Sequence, residues 1–103
     1  MICLTVIYPT SSGSQFDRKY YLEKHMPFVG GLCKPFGFKR AEVSEGRPGM
    51  DGSKAAYHCM ANLYFESADE LRKAFAKHGA EIMADIPKYT NVEPTTYVGE
   101  IQG

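Results

Sequence analysis

The order in which hydrophobic periods succeed one another restricts this chain to very few folds. Ile2 to Tyr8 is a β-branched, apolar run stopped by Pro9-Thr10-Ser11-Ser12-Gly13-Ser14, which predicts a buried strand and then a loop. Asp17 to Pro27 reads as an amphipathic helix, with Asp17 as the cap whose carboxylate accepts from amides of the next turn. Steps of four, three and four residues from Tyr21 reach His25, Phe28 and Leu32, one helical face. This helix is expected to end near Gly30-Gly31 or to run irregularly to Lys34-Pro35. Phe36 to Val43 is a second strand, and Glu45 to Ser53 a turn-rich loop.

Ala55 to Phe65 is a third strand, and its alternation separates two faces. Cys59, Ala61, Leu63 and Phe65 share one; His58, Met60, Asn62 and Tyr64 share the other. Ser67-Ala68-Asp69-Glu70 is a capping box, since Ser67 and Glu70 stand where each can bond the other's amide. It opens a helix whose stripe is Leu71, Phe75, His78 and Ile82, with Ala74 and Met83 beside it. Gly79 interrupts this helix, Pro87 ends it, and Val92 to Ile101 is the last strand. The order is β-α-β-β-α-β, the split arrangement of a ferredoxin-like α+β domain. Right-handed crossovers then put both helices on one face of a four-stranded antiparallel sheet of order 4-1-3-2.

The length of 103 residues allows one domain, 1–103, with no room for a second core. A chain this short buries only about two-thirds of its unfolded surface, so a self-complementary apolar face and a homodimer would help it. Twelve basic and twelve acidic residues are spread along the chain without a patch or tail, which argues against nucleic acid as a partner. No apolar stretch approaches the roughly 18 residues of a membrane span, and the first residues lack a charged leader. A cytoplasmic location is expected. Cys3, Cys33 and Cys59 are odd in number and form no CxxC, so buried thiols are expected rather than disulfides. His25, His58 and His78 show no ligand spacing, and no metal site is predicted. Neither a phosphate loop, a dinucleotide fingerprint nor a GxSxG elbow is present.

Two helices cover only one face of a sheet, and the small apolar Cys59, Ala61, Leu63, Phe65 face suits them. The His58, Met60, Asn62, Tyr64 face is neither solvated nor oily. It fits a sheet packed against another across a gap that holds a ligand, two subunits closing an α+β barrel, or equally an ordinary half-wet face. His25 is the residue of most interest. An imidazole on an apolar stripe is either a core group bonded to a backbone carbonyl or one that faces a cavity and does chemistry. Pro27 clashes with the carbonyl of Glu23 and is expected to break the helix just after His25.

The segment Tyr20-Tyr21-Leu22-Glu23-Lys24-His25-Met26-Pro27 resembles the histidine-proline signature of EthD-like proteins, named for ethyl tert-butyl ether degradation and placed in the dimeric α+β barrel superfamily. Three further segments are similar to the family pattern: Tyr57 to Phe65, Ala84-Asp85-Ile86-Pro87-Lys88-Tyr89-Thr90-Asn91, and the first strand ending Tyr8-Pro9. The resemblance implies a ferredoxin-like subunit, a homodimer, and a cavity between sheet and helices. It implies an association with oxygenase systems, and relatives in the superfamily include cofactor-free monooxygenases, isomerases and haem binders.

On this basis His25 is the candidate proton shuttle, acting as base or acid toward an enolisable or phenolic substrate. Tyr21, His58, Asn62, Tyr64, Asp85 and Tyr89 are candidate substrate-binding residues, each with a structural alternative. Tyr21 packs or orients the imidazole; Asp85 pairs with His25 or bonds local amides; Tyr89 and Asn91 line the site or make a turn; His78 is structural. Three readings follow. The first is an enzyme acting on an apolar, oxygenated small molecule without a bound cofactor, by oxidation, isomerisation or dehydration. The second is a non-catalytic carrier or accessory protein of an oxygenase pathway. The third is a haem-binding member with His25 or His58 on iron.

Overall fold

The computed structural model describes residues 1–103. β1 (Ile2–Pro9) is followed by α1, a continuous helix of Arg18–Tyr20 in α geometry, Tyr21–His25 in π geometry and Met26–Cys33 in α geometry. A 3₁₀ turn, Lys34–Phe36, leads to β2 (Phe38–Glu45) and β3 (Tyr57–Phe65). Then come α2 (Ala68–Asp85), a second 3₁₀ turn, Ile86–Lys88, and β4 (Thr95–Glu100). The sheet runs β2-β3-β1-β4 with every neighbouring pair antiparallel, the ferredoxin-like order expected from the sequence. No helix is long and apolar enough to cross a membrane.

The inner face of the sheet is the one the alternation of β3 selects. Cys59, Ala61, Leu63 and Phe65 are buried, joined by Ile2, Leu4 and Tyr8 of β1 and by Val29, Cys33, Leu71, Ala74 and Ile82 of the helices. Asp17 caps α1, its Oδ1 accepting from the Tyr20 amide at 3.0 Å. Ser67 caps α2, its Oγ accepting from the Glu70 amide at 3.2 Å. The stem of Glu70 lies over Gly37, which has φ 72° and would drive a Cβ to 3.0 Å from Glu70 Cγ. Gly37 is thus required both by its left-handed backbone and by the space above it.

Pro27 does not break the helix. It is accommodated by a wide turn, in which the Met26 amide donates to the carbonyl of Tyr21, five residues back. The extra residue rotates everything after it. The buried stripe is therefore Tyr21, His25, Val29 and Cys33, one position past the predicted Phe28 and Leu32; Phe28 is exposed and Leu32 half-buried. Strand ends also shift. Phe36 belongs to a 3₁₀ turn, and Pro94, with no amide to give the ladder, delays β4 to Thr95. Gly79 is carried inside α2, and Met83 is exposed.

The helices do not roof the whole sheet. All six residues of β4 are exposed, including Thr96 and Val98 on the inner face. A cavity of about 660 Å³ opens between this uncovered flank and the helices. Its wall is mostly hydrocarbon, with Leu4, Val6, Val29, Leu63, Leu71 and Phe75 among the residues that line it.

Candidate functional site

The polar end of the cavity is assembled from four places in the chain: the end of β1, the π turn of α1, the end of α2 and the loop after it. Tyr8, Tyr21 and His25 reach the cavity wall. The π turn stacks the ring of Tyr21 on that of His25, with centroids 5.4 Å apart and planes at 17°. Tyr89 is brought in by pairing of the loops before α1 and after α2. The Asp17 amide donates to Tyr89 O at 2.7 Å, Thr90 Oγ1 donates to Gln15 O at 2.6 Å, and Asn91 bonds both the Gln15 amide and Gly13 O.

A hydrogen-bonded row runs through the cluster. His25 Nδ1 lies 2.8 Å from Asp85 Oδ2, His25 Nε2 lies 3.2 Å from the Tyr89 hydroxyl, and that hydroxyl lies 2.6 Å from the Tyr8 hydroxyl. Tyr20 donates to Asp85 Oδ1 at 2.9 Å, and Lys88 Nζ stands 3.5 Å from the same oxygen. An ionised carboxylate only accepts, so Nδ1 carries the hydrogen given to Asp85 and Nε2 of the neutral ring is the acceptor.

The electrostatics agree with that tautomer. Burial lowers the proton affinity of His25 below its ordinary value, against the opposing hydrogen bond and charge of Asp85. Burial alone would raise the Asp85 carboxyl, but hydrogen bonds from His25 and Tyr20 outweigh it and hold the group below its ordinary value. The direction for the pair is therefore a neutral imidazole beside an ionised carboxylate. Burial also pushes the Tyr8, Tyr21 and Tyr89 hydroxyls upward, so all three are neutral phenols. The site is a buried neutral imidazole, oriented from behind by Asp85, with neutral phenols around it.

The predicted residues divide into two groups. Tyr21, His25, Asp85 and Tyr89 come together. Asn62 and Tyr64 lie on the outer face of the sheet, away from the cavity: Asn62 Oδ1 accepts from Thr5 Oγ1 at 2.7 Å, and Tyr64 donates to Glu42 Oε1 at 2.8 Å beneath the Arg40 guanidinium. The cavity lies between the inner face and the helices, so alternation alone excludes both from it. His58 takes an intermediate place. Cys59 pairs with Tyr8 and Tyr57 with Pro9, which leaves His58 as the extra residue of a β-bulge. Its Nε2 bonds Ser14 Oγ at 2.8 Å and its ring stacks on Phe16, one ring removed from Tyr21 and Tyr89. His78 pairs with Glu81 Oε1 at 2.5 Å on α2 and does not meet the cavity.

Three participants were not predicted: Tyr8, Tyr20 and Lys88. Tyr20 adjoins a predicted residue and Lys88 sits one turn after Asp85, both readable from spacing. Tyr8 is 81 residues from Tyr89, and only its alternation with Leu4 on β1 pointed inward. No three His, Cys, Asp or Glu side chains converge on a point that could hold a metal ion. Of the two histidines considered for haem iron, His25 has both nitrogens hydrogen-bonded, to Asp85 and Tyr89, and His58 bonds Ser14 through Nε2.

Comparison with known proteins follows the same lines. The model of the EthD domain family matches residues 11–93. The crystal structure of an EthD-like protein from Ralstonia eutropha superimposes with a TM-score of 0.88 at 33% identity, covering 96% of this chain and 89% of that one. More distant structures share the fold alone. One is SnoaB, a cofactor-independent oxygenase of Streptomyces nogalater, at TM-score 0.61 and 12% identity, covering 98% of this chain and 94% of that one. Another is a dimeric ferredoxin-like protein from an uncultured marine organism, at TM-score 0.62 and 11% identity, covering 99% and 94%. A domain match that takes in the π turn, both helices and the loop carrying Tyr89, together with a relative sharing a third of its residues, leads to one conclusion: the chain belongs to the EthD family.

Proposed function

We propose that the protein is a small homodimeric enzyme that acts on an apolar, oxygenated molecule by histidine-assisted proton transfer, without a bound cofactor and in association with oxidative metabolism. The observation that carries this reading is His25, a buried neutral imidazole whose Nδ1 is fixed by Asp85 at 2.8 Å beside a hydrocarbon-walled cavity. A base needs its lone pair aimed, its ring held and its product cation stabilised; Asp85 supplies the last two. Burial keeps the ring neutral near pH 7, ready to accept. An enolisable or phenolic substrate has a proton acidic enough for such a base, and its hydrocarbon body suits the wall.

Two fold relatives lend support of a coarser kind. SnoaB is a cofactor-independent oxygenase, which favours chemistry done by side chains on the substrate itself. The dimeric ferredoxin-like protein favours pairing of two copies, and the uncovered flank of β4 together with exposed Ile101 offers apolar surface for it.

The test begins with the small molecule that co-purifies with the protein, identified by mass spectrometry, and its turnover by the wild type and His25→Ala. Proton transfer by His25 predicts a loss of about 10²–10⁴-fold in turnover. Ligand binding should weaken far less, because a group acting in the transition state need not hold the ground state. A carrier or accessory protein would instead lose affinity, with no turnover in either form. Undiminished turnover would remove His25 from the chemistry.

A further inference from the structure

We propose that Tyr8, rather than His25, is the group that meets the ligand's oxygen, and that Tyr89 carries the proton between them. The inference rests on the proton-transfer reading above and names the oxygen subsite within it. The geometry leads there in three steps. His25 Nδ1 gives its hydrogen to Asp85, so Nε2 must accept, and the hydroxyl within reach of it is that of Tyr89 at 3.2 Å. Tyr89 has then used its only hydrogen, so its short 2.6 Å contact with Tyr8 must be donated by Tyr8. Tyr8 lines the cavity and Tyr89 does not. The resting row is therefore Tyr8 O–H to Tyr89 O–H to Nε2, and the acceptor it offers a ligand is the lone pair of the Tyr8 oxygen left beside the neighbouring Tyr21 hydroxyl.

A ligand with a hydroxyl hydrogen completes the row. As its O–H bond breaks, the hydrogen bonds to Tyr8 O, the Tyr8 hydrogen moves to Tyr89 O, and the Tyr89 hydrogen moves to Nε2. Each tyrosine loses one proton and gains one. The products are a ligand oxyanion and a His25 imidazolium facing the Asp85 carboxylate. Tyr8 O–H then points at the oxyanion and stabilises the charge where it forms. No oxidant enters this step, and neither tyrosine is left ionised, in keeping with the high proton affinity burial gives both. Beyond Asp85 the row ends at Tyr20 and the exposed Lys88, both of which donate to the carboxylate and help keep it ionised to face the imidazolium. The ligand class is a phenol or enol with its oxygen at Tyr8 and its hydrocarbon along Leu4, Leu63 and Phe75.

The test uses two probes of nearly one shape, 4-nitrophenol and its methyl ether 4-nitroanisole, titrated into the full-length protein below the probe's own ionisation. Wild type should prefer the phenol by about three- to tenfold, the worth of one neutral hydrogen bond. Tyr8→Phe, which keeps the ring and its packing, should abolish the preference; His25→Gln and Tyr89→Phe should keep it. Nitrogen-15 spectra of His25 add the relay: 4-nitrophenol should move the Nε2 signal in the wild type and not in Tyr89→Phe. The same spectra report whether each variant is folded. Loss of the preference in His25→Gln with retention in Tyr8→Phe would overturn the assignment while leaving His25 as the base. Absence of binding or of any preference in wild type would also overturn it, and an unchanged Nε2 response in Tyr89→Phe would remove the relay. Failure of the histidine chemistry itself would be read separately, in the turnover of His25→Ala.

Discussion

The closed end of the cavity and its open flank are built in opposite ways. At the closed end, Tyr8, Tyr21, His25 and Tyr89 are all buried, with Tyr21 only 1% exposed, and Tyr8 packs edge to face on Tyr21 and Tyr89 at 5.5 and 5.7 Å. The polar row there is bonded from Asp85 to Tyr8 before any ligand arrives. Along the flank, Val98 is 60% exposed, and no helix crosses over it. The contrast teaches where this small fold places its order. Under the proposed proton transfer, groups that hold a proton in a fixed geometry are held by one another, which would remove reorganisation from the chemical step. Surface that need only be apolar is left for a ligand or a second copy to cover.

The largest effect expected from this contrast sets two substitutions in one cavity side by side. Leu63→Ala, on the closed floor and 3% exposed, should cost about 2–5 kcal/mol in urea melts. Val98→Ala, on the flank, should change stability by less than about 0.5 kcal/mol. A comparable cost at both positions would break the contrast, and a midpoint that rises with protein concentration would identify a second copy as the cover. Light scattering on the same samples reads the assembly directly.

How much of this was legible in the sequence depended on the kind of signal. The faces of β3 were legible because period two is rigid: Cys59, Ala61, Leu63 and Phe65 had to fall together. The Ser67 cap and the strand order followed from equally local rules. The stripe of α1 was half legible. Tyr21 and His25 bound the wide turn and fall together under either period, whereas Phe28 and Leu32 follow it and are displaced by one residue, because a fixed 3.6 period has no room for an inserted position. Alternation places Asn62 and Tyr64 on the face opposite Cys59, Ala61, Leu63 and Phe65 without saying which face borders the cavity seen within one chain. Hollowness arises from how far two helices can reach across four strands, a property of packing rather than of any segment. Tyr8 was missed for a similar reason: its partner is 81 residues away, and nothing near it in the chain marks a strand-end tyrosine as part of a row.

Asp85 sharpens the account of the closed end at a smaller scale. Asp85→Ala leaves the buried Nδ1 hydrogen of His25 without an acceptor and the Tyr20 hydroxyl without its partner. The expected cost is about 1–3 kcal/mol, measured in urea. Asp85→Asn should cost less, because the amide oxygen can still accept from Nδ1, yet it should depress turnover, since a neutral group stabilises the imidazolium poorly. If Asp85→Asn kept full turnover, Asp85 would be a support for the ring and nothing more.

The smallest effect is the pH dependence of stability, and it asks whether the closed end is a base or an ion pair. Burial lowers the proton affinity of His25 in the fold, so as pH falls below about 6.5 the unfolded chain takes up a proton that the folded chain refuses. The unfolded state then binds more protons, and stability declines with falling pH until the folded ring also titrates. Asp85, likewise held low, extends the decline at more acidic pH, below its ordinary value of 3.8. The urea midpoint of the wild type should therefore fall between pH 7 and pH 5, and His25→Gln should remove that first portion while keeping the second. The change is expected to be modest, because Asp85 pulls His25 upward and cancels part of what burial does. The opposite sign, a wild type that gains stability over His25→Gln on going to pH 5, would mean that Asp85 wins. His25 would then rest as a cation, Nε2 would donate to Tyr89 instead of accepting, and the whole row would run the other way, offering the ligand a hydrogen from Tyr8 rather than an acceptor.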